Sequence, residues 1–349
     1  MTIPVVTAEG FASYLAHAVP LARDIAVTHV RRIVGGASRV TYSLDAAWHD
    51  DAGHHERGLI VRLDPGASLL VSNREVEFAA YRGMATSDVP VPEALWIEGD
   101  ANWFGGPFFV TSRIDGCATR RQQEFEPPYD AVGDTLGRNL FQIGGQIAAF
   151  DWQEADWDFL EAPAADRCCE RELGHWAQTI EQSRWDPQPI VRAAIDWLRR
   201  HPPPPAQRVA VVHGDFRTGN VLFDETGQIH GVVDWEMCHL GDPLEDLAWT
   251  CMRNWRWERM ALASGLIDLP VAHHEWEVAS ALTVDPAAYR WWEIFTHVKA
   301  QGIWLTGARN FADGLAEEIS LPGHAIRRGP TDDRSLLELL GWVQEDGER

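Results

Sequence analysis

Residues 5–18 carry apolar positions at helical spacing, and the pattern changes character directly after them. Three runs at 25–34, 41–46 and 59–63 predict strands, separated by Gly35-Gly36 and by the polar stretch AWHDDAGHHERG, which reads as a long turn. Together they predict a small antiparallel sheet. Asn73 is placed to cap a helix running to about Met84, and the Val-Pro-Val-Pro segment at 89–92 ends it. Two further strands are expected at 94–97 and 107–114, and the first lobe is expected to close near residue 113.

From about residue 131 helical spacing dominates. Two apolar runs, 209–212 and 229–233, interrupt it and bracket the polar segment HGDFRTGNVLFDETGQ. Leu244, Leu247, Ala248, Cys251 and Trp255 then repeat at helical spacing after Pro243, and a long apolar helix is expected over 289–311. The Pro- and Gly-containing stretch LPGHAIRRGP reads as a linker before a last short helix at 335–343.

Composition narrows the class. With 349 residues, 45% of them hydrophobic, the chain can bury one large core or two moderate ones. No run approaches the roughly 18 apolar residues of a membrane span, and the first residues show no basic, cleavable leader pattern. A soluble, cytoplasmic protein is expected. The five cysteines, Cys117, Cys168, Cys169, Cys238 and Cys251, match neither redox nor zinc spacing and read as reduced thiols. A net charge of −22 speaks against nucleic acid or an anionic membrane as partner, because phosphate-rich surfaces are held by clustered Lys and Arg. Among 30 basic residues there is one lysine, Lys299.

The chemistry concentrates in HGDFRTGN. Asp215 sits on a loop directly after an apolar strand, Asn220 follows five residues later, and the second strand ends in Asp234. Such a loop can point both carboxylates and the amide into one cleft. Phosphoryl transfer needs that set: one carboxylate near the acceptor hydroxyl, and oxygen ligands from another carboxylate and an amide to hold Mg²⁺ against the phosphates.

The pattern His213-x-Asp215-(x)4-Asn220, followed by Asp234-Trp235-Glu236, resembles the catalytic-loop and metal-binding motifs of the aminoglycoside phosphotransferase-like family. The stretch LGDPLEDLA at 240–248 resembles a further family segment. The resemblance implies an α+β, bilobal, protein-kinase-like fold, with a small antiparallel-sheet nucleotide-binding lobe over 1–113 and a larger, mainly helical catalytic and substrate lobe over 114–349. It implies ATP and Mg²⁺ as cofactors, Asp215 as catalytic base, His213 as a loop-orienting residue, Asn220 and Asp234 as magnesium ligands, and Asp246 as support for the loop. Arg217 is either a phosphate or substrate contact or a salt-bridge partner of a neighbouring acid. Glu236 reads as a solvated or hydrogen-bonded carboxylate.

A kinase-like first lobe needs a strand cation for the α and β phosphates, normally Lys, paired to a carboxylate on the next helix. No lysine stands there; Arg62 is the replacement, as in the family branch this chain resembles, and Glu75 is its expected partner. Gly35, Gly36 and Ser38 lie where the family has its phosphate-covering turn, although an ordinary hairpin would use the same residues. Ser112 to Ile114 fall where the family joins its lobes and hydrogen-bonds adenine through backbone groups.

The family phosphorylates aminoglycosides, macrolides, choline, homoserine and other metabolites, so the fold leaves the acceptor open. HGDFRTGN, the DWE triplet, GDPLEDLAW and the late helix, over roughly 30–345, most resemble kinase-like domains fused to, or encoded beside, acyl-CoA dehydrogenases. That implies a hydroxyacyl-CoA or related hydroxy metabolite as the small-molecule hydroxyl substrate. An aminoglycoside-type polycation would suit the acidic excess, and a pseudokinase would be expected to lose the base or metal ligands that are present here. Nine of the 17 Trp fall at or after residue 235, either lining an apolar acceptor site or filling core. Lys299 and Arg309 read as solvated helix charges, with contact to an anionic substrate as the alternative. Oligomeric state is left open.

Overall fold

The computed structural model describes all residues except 1–4, 34–38, 65–72, 118–128, 156, 185–186, 257–258, 316–318 and 344–349. Burial along strand β2 (Val40–Asp50) follows the pleat: Val40, Tyr42, Leu44, Ala46 and Trp48 are buried and alternate with half-buried neighbours. β2 pairs with β1 (Arg23–Ile33) and β3 (Gly53–Leu63), and β5 (Phe108–Ser112) and β4 (Ala94–Glu98) complete an antiparallel sheet of order β1-β2-β3-β5-β4. Helix α1 (Ala8–Ala18) lays Phe11, Tyr14 and Leu15 on the buried face, against Leu44, Leu59, Val61 and Phe108.

The stretch AWHDDAGHHERG is not a long turn. β2 and β3 stay in register from Val40 opposite Leu63 to Asp50 opposite Gly53, so only Asp51 and Ala52 turn. An antiparallel sheet with one solvated face accepts polar residues at every second position, and Trp48 stacks on His55 across the strands with ring centroids 4.9 Å apart. Helix α2 (Arg74–Met84) begins as expected, with Asn73 Oδ1 accepting from Glu75 N at 2.9 Å.

Helices α3 (Gly133–Ala149), α4 (Cys168–Ser183), α5 (Pro189–Arg200), α6 (Leu244–Cys251), α7 (Leu269–Ser280), α8 (Pro286–Ala312) and α9 (Ser320–Leu339) form the larger second core. α8 runs through its centre and packs against α4, α5, α6 and α9. Trp276, Trp291 and Trp292 are core residues, Trp255 is buried, and Trp304 is half-buried. α9 overturns the linker reading of LPGHAIRRGP. The helix continues through Pro330 because its inner face is anchored: buried Asp332 accepts from Asn254 Nδ2 (2.9 Å) and, on α8, from His297 Nδ1 (2.8 Å) and Trp304 Nε1 (2.9 Å). Packing of this kind outweighs the lost N–H of one internal proline.

Two small ribbons complete the architecture, β6 (Ala210–Val212) with β9 (His239–Gly241) and β7 (Val221–Phe223) with β8 (Ile229–Val232). The result is α+β, a small antiparallel sheet followed by a mainly helical part, as in protein kinases. All five cysteines are free thiols. Among the described residues no helix is long and apolar enough to cross a membrane.

Candidate active site

Strand β6 delivers His213 into a buried turn that ends in one 3-10 turn, Thr218–Asn220, and the β7–β8 hairpin then brings the chain back beside its start. Asn220 O accepts from Val233 N at 2.9 Å, which seats Asp234 next to Asn220. Asn220 Nδ2 donates to Asp215 O (2.8 Å) and Oδ2 (2.7 Å). The structure thus brings Asp215, Asn220 and Asp234 together.

His213 ties the two ends of this segment. Its Nδ1 accepts from Asp215 N (3.2 Å), so the neutral ring carries its proton on Nε2 and donates to Val233 O (3.0 Å). Burial pushes the imidazole below its ordinary range, against the pull of Asp246 and Asp215. Asp246 on α6 accepts from His213 N (2.6 Å) and Gly214 N (2.9 Å), fixing the turn from below.

The Asp215 carboxylate is held on three sides. Oδ1 accepts from Trp249 Nε1 (2.8 Å) and Arg217 Nε (3.0 Å), and Oδ2 from Asn220. A carboxylate has about four acceptor sites, so one is left for a further donor. Arg217 is therefore an ion-pair partner of Asp215, and its guanidinium lies 4.7 Å from the Trp255 ring centroid. Trp249, the last residue of the GDPLEDLAW stretch, was not singled out as a partner of Asp215 by the sequence.

On the sheet side, Arg62 does not pair with Glu75. Its Nη1 lies 2.6 Å from Glu77 Oε1 and its Nη2 2.5 Å from Asp234 Oδ1. The Glu75 side chain is 74% exposed and that of Glu77 fully buried. Two residues along a helix are about 200° around its axis. Glu77 shares the inward face with Phe78, Tyr81 and Met84, and that spacing was the signal that would have identified it. Burial opposes the charge on Arg62, but Glu77 and Asp234 more than offset it and hold the guanidinium protonated. Arg39, also buried, donates from Nε to Glu77 Oε2 (2.9 Å) and pairs with Asp64, and mostly buried Glu236 lies 3.9 Å from it. Gly35, Gly36 and Ser38 lie outside the described residues.

Asp234 adopts the left-handed conformation at φ 74°, uncommon for a residue with a side chain, and its N–H donates to Tyr81 Oη at 2.9 Å. Burial works against its charge, and the Arg62 guanidinium holds its carboxyl below the ordinary range. At the junction after β5, Ser112 N and Arg113 N donate to Glu93 O (2.9 Å) and Gly58 O (2.8 Å), and Ser112 Oγ accepts from Glu93 N. Ser112 is thus engaged within the sheet and offers adenine no backbone donor. Ile114 lies over the β7–β8 hairpin, where a Cβ on Gly231 would come 2.5 Å from Ile114 Cδ1.

The solvated reading of Lys299 fails. It is 1% exposed and donates to Gly214 O (2.5 Å) and Glu245 Oε1 (2.8 Å). Arg309 is exposed and pairs with Asp313 at 2.7 Å, as a surface charge. The donor set fits a hard divalent cation: both Asn220 amide protons go to Asp215, leaving the amide oxygen as a ligand atom, and Asp234 adds an ionised carboxylate.

Residues 29–281 match the model of the phosphotransferase enzyme family. The chain is 28% identical over 227 residues to acyl-CoA dehydrogenase family member 10 of Mus musculus, covering 62% of this chain and 20% of that protein. It therefore spans about a fifth of that relative's length. Among solved structures, a candidate aminoglycoside phosphotransferase from Ralstonia eutropha is similar with a TM-score of 0.73 at 19% identity, covering 97% of this chain and 99% of that one. A thermostable aminoglycoside phosphotransferase variant in ternary complex with ADP and hygromycin B is similar with a TM-score of 0.56 at 18% identity, covering 93% and 98%. Since the family model spans most of the chain, including the segment from His213 to Asp246, this chain belongs to the phosphotransferase enzyme family.

Proposed function

We propose that this chain transfers the γ-phosphoryl group of ATP, with Mg²⁺, to the hydroxyl of a small anionic molecule, a hydroxyacyl-CoA or a related hydroxy acid. The acceptor O–H would donate into the open acceptor site of Asp215. Its proton passes to that carboxylate as the oxygen bonds to the γ-phosphorus and the bond to ADP breaks. Arg217 and Trp249 keep the Asp215 carboxylate oriented, so it acts chiefly by positioning. Arg62, locked by Glu77, is the cation for the phosphates, and adenine would meet backbone from Ile114 onward. Asn220 Oδ1 and Asp234 would hold Mg²⁺, which supplies neutralisation of phosphate charge.

The observation that carries the acceptor class is a pair of guanidinium groups. Arg217 is bound to Asp215, and Arg328 on α9, half-buried, donates to Asn254 O at 3.2 Å. Burial and the neighbouring charge of Arg217 together drive the Arg328 guanidinium below its ordinary range, despite Asp332. Arg217 at the base, with Arg328 within its electrostatic reach, favours an acceptor bearing carboxylate or phosphate. The likeness to an acyl-CoA dehydrogenase family member supports the same class. The chain's charge of −22 and its aminoglycoside phosphotransferase neighbours favour a polycation instead, but that charge is global and the arginines are local.

The deciding test is a mass-spectrometric screen for ATP-dependent phosphorylated product across hydroxyacyl-CoA thioesters, hydroxy acids, aminoglycosides and choline-like amines. A phosphorylated acyl product that disappears with Asp215→Asn is expected. Product from amines alone would overturn the acceptor class and keep the mechanism; nucleotide binding with no turnover of any acceptor would favour a pseudokinase.

A further inference from the structure

Arginine supplies every basic residue but one, and the single lysine, Lys299, is buried within α8. Its ammonium donates to Gly214 O (2.5 Å) and Glu245 Oε1 (2.8 Å) and lies 4.9 Å from the centroid of the Trp249 ring. Two of these neighbours lead directly to Asp215. Gly214 O belongs to the peptide that enters Asp215, and Trp249 Nε1 donates to Asp215 Oδ1. The Gly214 N–H is held from the other side by Asp246. Gly214 itself has φ +84°, and a Cβ there would come 2.5 Å from Met237 O, so its backbone has no spare room.

We propose that Lys299 is a positioning residue for phosphoryl transfer: it clamps the Gly214–Asp215 peptide and the Trp249 ring, and through both it sets the orientation of the Asp215 carboxylate. The proposal rests on the phosphotransfer reading only for its turnover measurement. The choice of lysine follows from the site. An arginine there would bury five N–H donors against two oxygens, whereas a compact ammonium with three donors meets both oxygens and an aromatic face. Glu245 also faces His239 Nε2 (3.2 Å), and Glu172 lies 3.7 Å from the same nitrogen. Glu172, His239 and Glu245 could by geometry hold a metal ion, but Lys299 already provides the cation at Glu245. Arg171 Nε also donates to Glu172 Oε1 at 3.1 Å, so two carboxylates face three cations.

Lys299→Met alone leaves an imbalance of buried charge and can fail to fold for that reason. Combined with Glu245→Gln it removes one charge of each sign and leaves Glu172 with His239 and Arg171. The double variant is expected to stay folded and bind ATP within about threefold of wild type, while kcat falls about 10²-fold at nearly constant ATP KM. Backbone hydrogen exchange should accelerate across residues 212–217 and stay unchanged in the N-terminal sheet. A kcat within about twofold of wild type together with unchanged exchange at 212–217 would overturn the proposal. If wild-type protein turns over no ATP with any acceptor, the phosphotransfer reading is at fault, and the exchange measurement alone decides the role of Lys299.

The wild-type protein gives an independent arm. Because the chain has one lysine, ¹⁵N-lysine labelling yields a single side-chain ammonium resonance. It should exchange slowly with water at neutral pH; an ammonium exchanging like free lysine would rule out the clamp without any variant.

Discussion

Arg62 Nη2 donates to Asp234 Oδ1 at 2.5 Å across 172 positions of sequence, joining a strand of the N-terminal sheet to the loop that follows the β7–β8 hairpin. One guanidinium thereby orients the carboxylate proposed as a metal ligand and is itself held by Glu77. Asp234→Ala is expected to weaken Mg-ATP binding by about 10- to 100-fold, read by calorimetric titration at several Mg²⁺ concentrations. An unchanged Mg²⁺ dependence would remove Asp234 from the metal role.

Glu75 and Glu77 should separate cleanly. Glu77→Gln removes the charge of a fully buried carboxylate flanked by Arg39 and Arg62, and a cost of about 3–5 kcal/mol in urea unfolding is expected. Glu75→Gln, at an exposed position, should change stability by less than about 0.5 kcal/mol. Equal effects would contradict the pairing.

Gly214→Ala should destabilise by more than about 1 kcal/mol, because it combines a positive φ with a contact against the Met237 carbonyl. Gly174→Ala on the exposed side of α4, where a Cβ meets nothing within 4 Å, should stabilise by up to about 1 kcal/mol. Melting temperatures of the two variants moving in the same direction would refute this.

Stability should also depend on pH through His239. Burial opposes its charge, but Glu172 and Glu245 more than offset that and push its pKa up to about 9. The folded value exceeds the unfolded one, so the stabilisation is complete below the unfolded pKa, about 6.5, and is lost as pH rises through 9. A loss on the order of 3 kcal/mol across that window is expected in urea titrations, flattened by His239→Gln. The same slope in the variant would assign the effect to other groups.

The sequence by itself determined the strands and first helices of the N-terminal sheet, the polar turn after β6 and the family. HGDFRTGN, DWE and GDPLEDLA lie within one contiguous stretch, so local spacing carries them, and Asp215, Asn220, Asp234 and Asp246 meet as expected. Asn73 likewise announced its helix through a bond two residues away. What only the tertiary structure decided involves partners distant in sequence. Glu77 rather than Glu75 faces Arg62 because α2 rotates its apolar stripe onto the sheet. Lys299 is buried rather than solvated because α8 is enclosed by other helices and Glu245 neutralises it there. α9 runs through Pro330 because Asp332 is anchored from α8 and Asn254. Periodicity reports how a segment divides its faces between water and protein, whereas the partner of a buried charge is settled only when two segments far apart in the chain pack together.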